Sequence, residues 1–343
     1  MNVEGTSSNL ADNAGACQTL VIKLGALGDV ATCLPFLQRL ALRKDCRLSV
    51  LTMAPFSSLF EAIDVGRVVA MPDRGWMSAC RFGMRMRRER FGRVIDLQGS
   101  HASRWMTWLA GTRAERIGIW RGWPYRTAIS IPRRPRIHPE LRLKELAKLL
   151  SLPDTASAKV TVANEISERV RDWLARRNLT GRKLVLMHAG CSPAWTSKRW
   201  PVQYYEALAV RLQAAGYQVL WLGTSEERSL NSSLAAVAGI DSTGAFSLPE
   251  LLALASHGSF AVTNDSGPMH LLAAGGIPVY AFFGPIDSSR SHAVGQRDRV
   301  FEISLPCRPC YAKQCQLPGA THDCLIGLKP ERVIERLQAD GWL

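Results

Sequence analysis

The sequence predicts an α/β fold with parallel sheets, arranged as two domains. Short apolar runs that are typical of buried strands alternate with amphipathic stretches that are typical of helices. This alternation occurs twice, and a proline- and arginine-rich stretch at 119–140 separates the two series. The length of 343 residues exceeds what one hydrophobic core usually holds. A hydrophobic content of 47% and a charged content of 21% exclude a chain that is disordered throughout.

Each half of the chain has its own strands. The first half has three predicted strands and one predicted helix, and the second half has four predicted strands and two predicted helices. Gly216 favours the end of the first of those two helices, because glycine readily adopts the backbone conformation found there. The predicted strands are 19–25, 47–53, 93–99, 183–190, 217–224, 259–265 and 278–284, and the predicted helices are 31–44, 201–216 and 330–343.

We divide the chain accordingly into a disordered extension at 1–17, a first domain at 18–165, a second domain at 166–328 and a terminal helix at 329–343. The first 17 residues contain no basic segment followed by an apolar one, so we expect no secretory signal. No apolar run is long enough to cross a bilayer. We therefore expect a cytoplasmic protein.

The charge is strongly positive, at +14. This balance indicates a polyanionic partner, although solubility alone could also account for it. Arginines concentrate at 81–93, with six, and at 133–144, with four more. The first cluster could simply be a solvated helix face. No helix-turn-helix, zinc finger or aromatic RNA-binding signature is found, so we do not expect nucleic acid to be the partner.

The motif LGALGDV at 24–30 joins a predicted strand to a predicted helix. Gly25 and Gly28 permit a tight turn and close approach of a ligand. Asp29 then lies at the helix N-terminus, where a carboxylate commonly caps the helix. Taken alone, Asp29 fits a cap better than a general base. The glycine spacing is not that of a dinucleotide site, so no nicotinamide cofactor is indicated.

The motif TNDSGPMH at 263–270 ends a predicted strand and begins a helix. Ser266 and Gly267 form the turn after Asp265, and the unpaired N–H groups of the helix start would suit a diphosphate. His270 could donate to the same group. An ordinary capped turn is the alternative.

The motif HAGCSPAWTSKRWP at 188–201 carries a basic pair, Lys198 and Arg199. These side chains could neutralise phosphate oxygens, with hydroxyls from Thr196 and Ser197 as further donors. A solvated basic pair is the alternative.

The motif GTSEER at 223–228 follows another strand. Glu226 or Glu227 could accept hydrogen bonds from ribose hydroxyls, as acids do in other nucleotide sites. An acid that merely stabilises a helix N-terminus is equally compatible with the pattern.

Four of the nine cysteines form a C-x2-C-x4-C-x8-C cluster. In a reducing compartment, such a cluster indicates a metal before it indicates disulfides. Four thiolates would suit a structural Zn or Fe ion and would leave no open position for chemistry. Free thiols are the alternative. The four residues are Cys307, Cys310, Cys315 and Cys324.

These motifs together resemble those of the ADP-heptose:lipopolysaccharide heptosyltransferases, glycosyltransferase family 9. The segment at 21–40 is similar to the N-terminal signature of that family, and the segment at 96–118 to its DLQG stretch. The segments at 188–201 and 263–285 are similar to its two donor-site motifs. The combination of TNDSGPMH with SKRW is the most specific part. Ala189 and Cys191 depart from the pattern and bear on the geometry of the donor loop.

The resemblance implies a GT-B fold, in which two Rossmann-like domains face each other across a cleft. The second domain would bind ADP-heptose, and the first would bind the acceptor. Transfer would invert the anomeric centre without a required cofactor. A similar cysteine cluster occurs in part of the family, where an iron-binding loop has been described for protein heptosyltransferases. The expected acceptor is an anionic lipopolysaccharide precursor at the inner membrane, to which the protein would be peripheral.

Mapped onto this sequence, the resemblance assigns the catalytic roles to Asp29 as base and Lys198 as phosphate contact. The base role for Asp29 thereby becomes preferred over the cap. Glu226 becomes the expected ribose acid. The donor-binding residues would be Thr196, Ser197, Lys198, Glu226, Asp265, Ser266, Gly267 and His270, and the acceptor-side residues Gly28, Gln98 and Arg104.

Three other functions compete with this hypothesis. The first is a heptosyltransferase that acts on serines of a surface protein, which the cysteine cluster favours. The second is a nucleotide-binding scaffold without turnover. The third and most distant is a DNA-binding module, which would show a steep dependence of duplex affinity on salt.

Overall fold

The computed structural model describes most of the chain and divides it into two compact units. The first unit comprises 1–25, 36–133 and 142–155, and the second comprises 26–35, 134–141 and 156–343. Most of the predicted extension at 1–17, and part of the arginine cluster at 133–144, lie outside the described residues. The described residues are 16–73, 75–129, 131, 137–153 and 159–343.

The first unit contains a parallel sheet in the order β3-β2-β1-β4-β5-β6. Because consecutive strands are parallel, each connection must cross over the sheet, and helices supply most of these connections. The strands are β1 Cys17–Ile22, β2 Cys46–Met53, β3 Arg67–Met71, β4 Arg93–Asp96, β5 Glu115–Gly118 and β6 Thr127–Ala128, and the helices are α1 Leu27–Ala41, α2 Ser57–Ala62, α3 Trp76–Arg87, α4 His101–Ala110 and α5 Pro139–Leu149.

The second unit repeats this arrangement, with the order β12-β11-β10-β7-β8-β9. The strands are β7 Leu184–His188, β8 Gln218–Trp221, β9 Ile240–Asp241, β10 Gly258–Asn264, β11 Val279–Phe282 and β12 Val300–Phe301. The helices are α6 Asn164–Arg176, α7 Val202–Ala214, α8 Arg228–Val237, α9 Leu248–Leu254, α10 Gly267–Ala274, α11 Ser288–Ser291, α12 Asp323–Ile326 and α13 Pro330–Ala339.

Each unit has its own core. The first core joins apolar residues of β1, β2 and β4 to those of α3 and α4. The second core is rich in aromatic residues, and the Trp200 ring stacks on Phe282 with centroids 4.0 Å apart. Continuous apolar runs such as LVLM in β7 are fully buried, as expected for strands that are covered on both faces.

The predicted strands and helices are confirmed, whereas the unit boundaries differ from the predicted domain boundaries. Helix α6 begins at Asn164, so the boundary predicted at 165 falls inside it. Strand β1 already begins at Cys17. The terminal helix α13 is not a separate segment, because Val333 and Leu337 are buried in the second core. None of the helices among the described residues is long and apolar enough to span a membrane.

Candidate functional site

A candidate site lies in the second unit, at the carboxyl ends of its central strands. The strand order reverses between β7 and β10, and in open α/β sheets ligands bind in the crevice at such a reversal. A pocket of about 790 Å³ lies there. His188 at the end of β7, Gly223 after β8 and Ser266 after β10 all line it.

The N-terminus of α10 forms one wall of this pocket. Ser266 is the residue that precedes the helix, and Gly267 and Pro268 follow it into the first turn. A Cβ atom on Gly267 would lie 2.7 Å from Cδ2 of Leu27, so only glycine fits there without a shift. The unpaired N–H groups and the positive end of the helix dipole would attract an anion to this wall. The predicted strand–turn–helix at TNDSGPMH is therefore confirmed.

Lys198 and Asp265 form a largely buried ion pair beside the pocket. The Lys198 Nζ atom lies 2.7 Å from Oδ2 of Asp265. Burial raises the pKa of Asp265, and the lysine charge opposes this rise. Neither of the two residues lines the pocket itself. An anion bound at the helix start would therefore compete with Asp265 for the lysine charge.

Two arginines supply positive charge to the pocket wall directly. Arg199 and Arg228 both line it and are exposed. Arg199 belongs to the predicted basic pair with Lys198, whereas Arg228 was not predicted to be a site residue. Arg228 ends the GTSEER motif, so its place beside the two acids is the signal that indicates it.

The acid that is held in place at the pocket is Glu227. Its Oε1 lies 3.3 Å from Nε2 of His188, and its Oε2 accepts a hydrogen bond from the N–H of Thr224. Burial raises the pKa of Glu227, but the contacts with His188 and Thr224 outweigh burial and lower it overall. Glu226, which the resemblance favoured, is exposed and also lines the pocket.

Gly190 explains why Glu227 reaches this position. A Cβ atom on Gly190 would lie only 1.4 Å from Oε1 of Glu227, so a larger residue would displace the carboxylate. His188 also contacts the loop that precedes α10, with its Nδ1 atom 3.4 Å from Oγ of Ser266. His188 was not predicted to be a site residue, although it lies near the end of a predicted strand.

Asn264 fixes the loop that carries Lys198. Its Oδ1 atom accepts hydrogen bonds from the Trp200 N–H and the Tyr205 hydroxyl. Its Nδ2 group donates to the carbonyls of Ala189 and Gly190. Because Asn264 is fully buried, each of these bonds satisfies a polar group that water does not reach.

The predicted hydroxyl donors Thr196 and Ser197 lie in a short 3-10 turn. Ser197 is buried, and its hydroxyl donates to the Ala312 carbonyl at 2.6 Å. Its backbone N–H donates to the Lys313 carbonyl. The structure thus corrects the prediction for Ser197, because its hydroxyl joins this turn to the cysteine loop. Thr196 is exposed and does not line the pocket.

His270 packs against the start of α1 and does not line the pocket described above. A Cβ atom on Gly28 would lie 2.7 Å from Cδ2 of His270, so this glycine permits the contact. Burial, aided by nearby basic side chains, lowers the pKa of His270 to about 3, so the ring is neutral. Asp29 is exposed in the first turn of α1, two residues after Leu27, which lines the pocket.

The two remaining predicted acceptor residues lie in the first unit. The Oε1 atom of Gln98 accepts a hydrogen bond from the backbone N–H of Leu24, which fixes the chain just after β1. The Arg104 guanidinium lies over the Tyr125 ring, 5.4 Å from its centroid. Both residues are partly buried.

Three of the four cysteines lie on the loop after β12, Cys324 lies in α12, and their thiols influence one another. Burial raises the pKa of Cys324, and the other three thiols raise it further. Bonds of about 2.3 Å to one zinc ion would bring sulfur atoms to within about 4 Å of each other. No three of the four reach within 4.8 Å of one another, so the loop would have to tighten around an ion. The metal site therefore stays a prediction.

Another group of ligand atoms does come this close, in His138, Glu140 and His292. The His138 Nε2 atom lies 2.9 Å from the His292 carbonyl, and Nδ1 of His292 lies 2.9 Å from the Ser288 carbonyl. The two rings stack at 26° with centroids 4.1 Å apart. Lone pairs in nearly parallel planes do not converge on one ion, so the arrangement fits a hydrogen-bonded pair better than a metal centre.

Comparisons with known proteins agree with the geometry. Residues 79–321 match the family model for glycosyltransferase family 9 (heptosyltransferase). Lipopolysaccharide heptosyltransferase 1 of Pseudomonas aeruginosa is 29% identical over 185 residues, which are 49% of this chain and 51% of that protein. The match thus spans about half the length of this curated relative.

Solved structures extend the likeness to nearly the whole chain. A glycosyl transferase family 9 structure from Veillonella parvula has a TM-score of 0.76 at 19% identity, and it covers 95% of this chain and 97% of that one. The E. coli heptosyltransferase WaaC with ADP has a TM-score of 0.68 at 20% identity, and it covers 94% and 100%. These likenesses and the two parallel sheets show a GT-B fold with two Rossmann-like domains. The chain belongs to glycosyltransferase family 9, the heptosyltransferase family.

Proposed function

We propose that this protein is a glycosyltransferase that moves a heptose from ADP-heptose to a hydroxyl of the lipopolysaccharide inner core. The observation that carries the proposal is the pocket of the second unit. There the start of α10 and two arginines supply the donors that a diphosphate needs, and Glu226 and Glu227 supply acceptors for nucleoside hydroxyls. The relative from Pseudomonas is named as a lipopolysaccharide heptosyltransferase, and the similar E. coli structure contains ADP.

The proposed reaction exchanges one bond to the anomeric carbon for another. The acceptor oxygen attacks that carbon as the bond to the ADP oxygen breaks, and ADP leaves with the bonding electrons. The acceptor proton passes to Asp29, which acts as general base. Negative charge grows on the departing diphosphate, and Lys198 and the α10 N-terminus would stabilise it where it develops. Inversion follows from attack on the face opposite to ADP, and no cofactor takes part.

The acceptor is the finer part of the proposal. A phosphorylated lipopolysaccharide precursor is anionic, and the arginine-rich segment at 81–93 favours such a molecule. Such an acceptor is anchored in the inner membrane, so we expect the protein to act at the cytoplasmic face as a peripheral enzyme. A serine of a surface protein is the competing acceptor, and the cysteine cluster was the feature that favoured it.

Release of ADP tests the proposal. The protein is incubated with ADP-heptose and Kdo-lipid A, or with ADP-heptose and a serine-rich surface protein in parallel. We expect ADP release and a product of increased mass with the glycolipid only. Release no higher than without acceptor would contradict the proposal, and product on the protein alone would transfer it to the competing acceptor.

Replacing the proposed base is the matching variant. We expect Asp29→Asn to lower kcat on the order of a thousandfold, because general base catalysis contributes effects of about this size. Asp29 is exposed in the first turn of α1, so its replacement should lower the free energy of unfolding by no more than about 1 kcal/mol. A kcat within threefold of wild type would contradict the base role while leaving the proposed donor in place.

A further inference from the structure

Four exposed tryptophans form one cluster on the first unit. The Trp105 ring is at the centre, with its centroid 5.8 Å from Trp76, 5.7 Å from Trp108 and 4.8 Å from Trp123. The four side chains are between 36% and 54% exposed. The chain contains ten tryptophans, and the structure describes all of them. None of the other six is exposed, so exposure of this residue type is confined to one surface.

Helix α3, which begins at Trp76, also carries exposed methionines. Met77 is 85% exposed beside Trp76, and Met84 is 56% exposed two helical turns further along α3. Of the fifteen large hydrophobic side chains that are exposed in the described chain, six are these methionines and tryptophans. Soluble domains seldom leave apolar side chains gathered in this way unless a partner covers them.

Positive charge lies beside the apolar residues. Arg81, Arg85 and Arg88 are exposed and follow one another at helical spacing, and together with Met84 they line a groove of about 530 Å³. The acids nearby are already engaged. Glu89 pairs with Arg67, and Asp73 accepts hydrogen bonds from the Gly75 N–H and the Ser78 hydroxyl.

We propose that this surface, formed by the four tryptophans, the two methionines and the three arginines, binds an anionic phospholipid bilayer. Tryptophan rings prefer the boundary between lipid headgroups and acyl chains, because their rings are apolar and their N–H groups are polar. Arginines next to them are attracted to headgroup phosphates. The combination of exposed aromatic and basic residues along a surface helix and its neighbour is that of proteins that lie on a membrane without crossing it.

The proposal extends the proposed function, since it names the surface through which an enzyme with a lipid-anchored acceptor would meet the membrane. Binding to vesicles that contain neither donor nor acceptor can nevertheless be measured by itself. Its failure would leave the transfer reaction intact, and a failure of transfer would leave membrane binding intact.

The test is sedimentation of the full-length protein with lipid vesicles. We expect it to bind vesicles of phosphatidylethanolamine and phosphatidylglycerol at least roughly tenfold more tightly than vesicles of phosphatidylcholine, with an affinity that salt weakens. Trp76→Ala/Trp123→Ala should lower the affinity roughly tenfold for both kinds of vesicle. Arg81→Gln/Arg85→Gln should lower it roughly tenfold for the anionic vesicles and reduce the salt dependence.

Matched controls come from other exposed residues. Leu42→Ser removes a side chain that is 70% exposed, and Arg171→Gln/Arg176→Gln removes two exposed charges from α6. Both control variants should bind anionic vesicles as wild type does. Urea unfolding midpoints of all variants exclude misfolding as the cause of lost binding.

The opposite results would overturn the proposal. It fails if wild type remains unbound at physiological salt, or if the tryptophan and arginine variants sediment as wild type does. It also fails if sedimentation velocity shows a dimer that Trp76→Ala/Trp123→Ala converts to a monomer while vesicle binding is unchanged. In that case a second copy of the chain covers the cluster.

Discussion

The two units have the same strand order but use their equivalent strand ends differently. Strand β4 of the first unit and β10 of the second each lie beside the first strand of their own sheet, and each ends in a buried polar residue. In the first unit this residue is Asp96, which accepts hydrogen bonds from the N–H groups of Gln98 and Gly99 and from the Tyr125 hydroxyl. Burial raises the pKa of Asp96 all the same.

In the second unit the residue that follows the equivalent strand end pairs with a lysine. Asn264 takes over the task of satisfying the neighbouring loop, and the next residue, Asp265, holds Lys198 instead of backbone N–H groups. The comparison teaches that topology alone selects the position of a site. Whether a polar residue at that position binds a ligand depends on the counter-charge that the following loops bring to it.

The Lys198–Asp265 pair allows the strongest test of this difference. We expect Lys198→Met to lower kcat on the order of a hundredfold, because the departing diphosphate loses the positive charge that would stabilise it. The free energy of unfolding should also fall by about 3 kcal/mol, since the Asp265 carboxylate is left buried without its partner. The measurements are steady-state ADP release and urea unfolding.

The double variant Lys198→Met/Asp265→Asn separates the two effects. It removes the uncompensated carboxylate, so the free energy of unfolding should recover most of its loss while kcat stays low. A kcat that recovered together with stability would show that Lys198 acts only through the fold.

A second test concerns the loop that Asn264 holds. Asn264→Leu leaves the backbone N–H of Trp200 and two carbonyls without a partner, and we expect the free energy of unfolding to fall by about 2–3 kcal/mol. Because the freed loop carries Lys198 and Arg199, the KM for the sugar nucleotide should rise more than kcat falls.

Tyr125→Phe is the matched variant in the first unit. It removes one donor to Asp96 and should lower stability by about 1 kcal/mol without changing that KM. Equal changes of KM in the two variants would contradict the comparison.

Seven of the strands, the helices α1, α7 and α13 and the turn before α10 could be predicted from the sequence, because apolar periodicity and glycine or proline positions are local signals. The partners of individual polar side chains could not. Ser197 lies next to Lys198 in the chain but donates to Ala312, and nothing in the motif indicates a residue more than a hundred positions away.

The tryptophan cluster could not be predicted from the sequence for the same reason. Its four members are spread over 76–123, and only Trp105 and Trp108 lie at helical spacing. They meet only because α3 packs on α4 and the chain after β5 returns to the same side. In contrast, the choice between Glu226 and Glu227 turns on Gly190, whose missing side chain leaves room for the Glu227 carboxylate.

The smallest expected effect concerns the Glu227 carboxylate and is visible in its pH dependence. Since its pKa in the folded protein lies below the ordinary value of 4.5, ionised Glu227 stabilises the fold above about pH 4.5. That contribution disappears as the pH falls through the lowered pKa. We therefore expect Glu227→Gln to cost about 1 kcal/mol at pH 7 and progressively less below pH 4.5, as urea unfolding at several pH values would show. Glu226→Gln, at the exposed neighbour, should match wild type throughout. A loss for Glu227→Gln that stayed constant with pH would contradict the lowered pKa, because the ionised form of Glu227 would then add nothing to the stability of the fold.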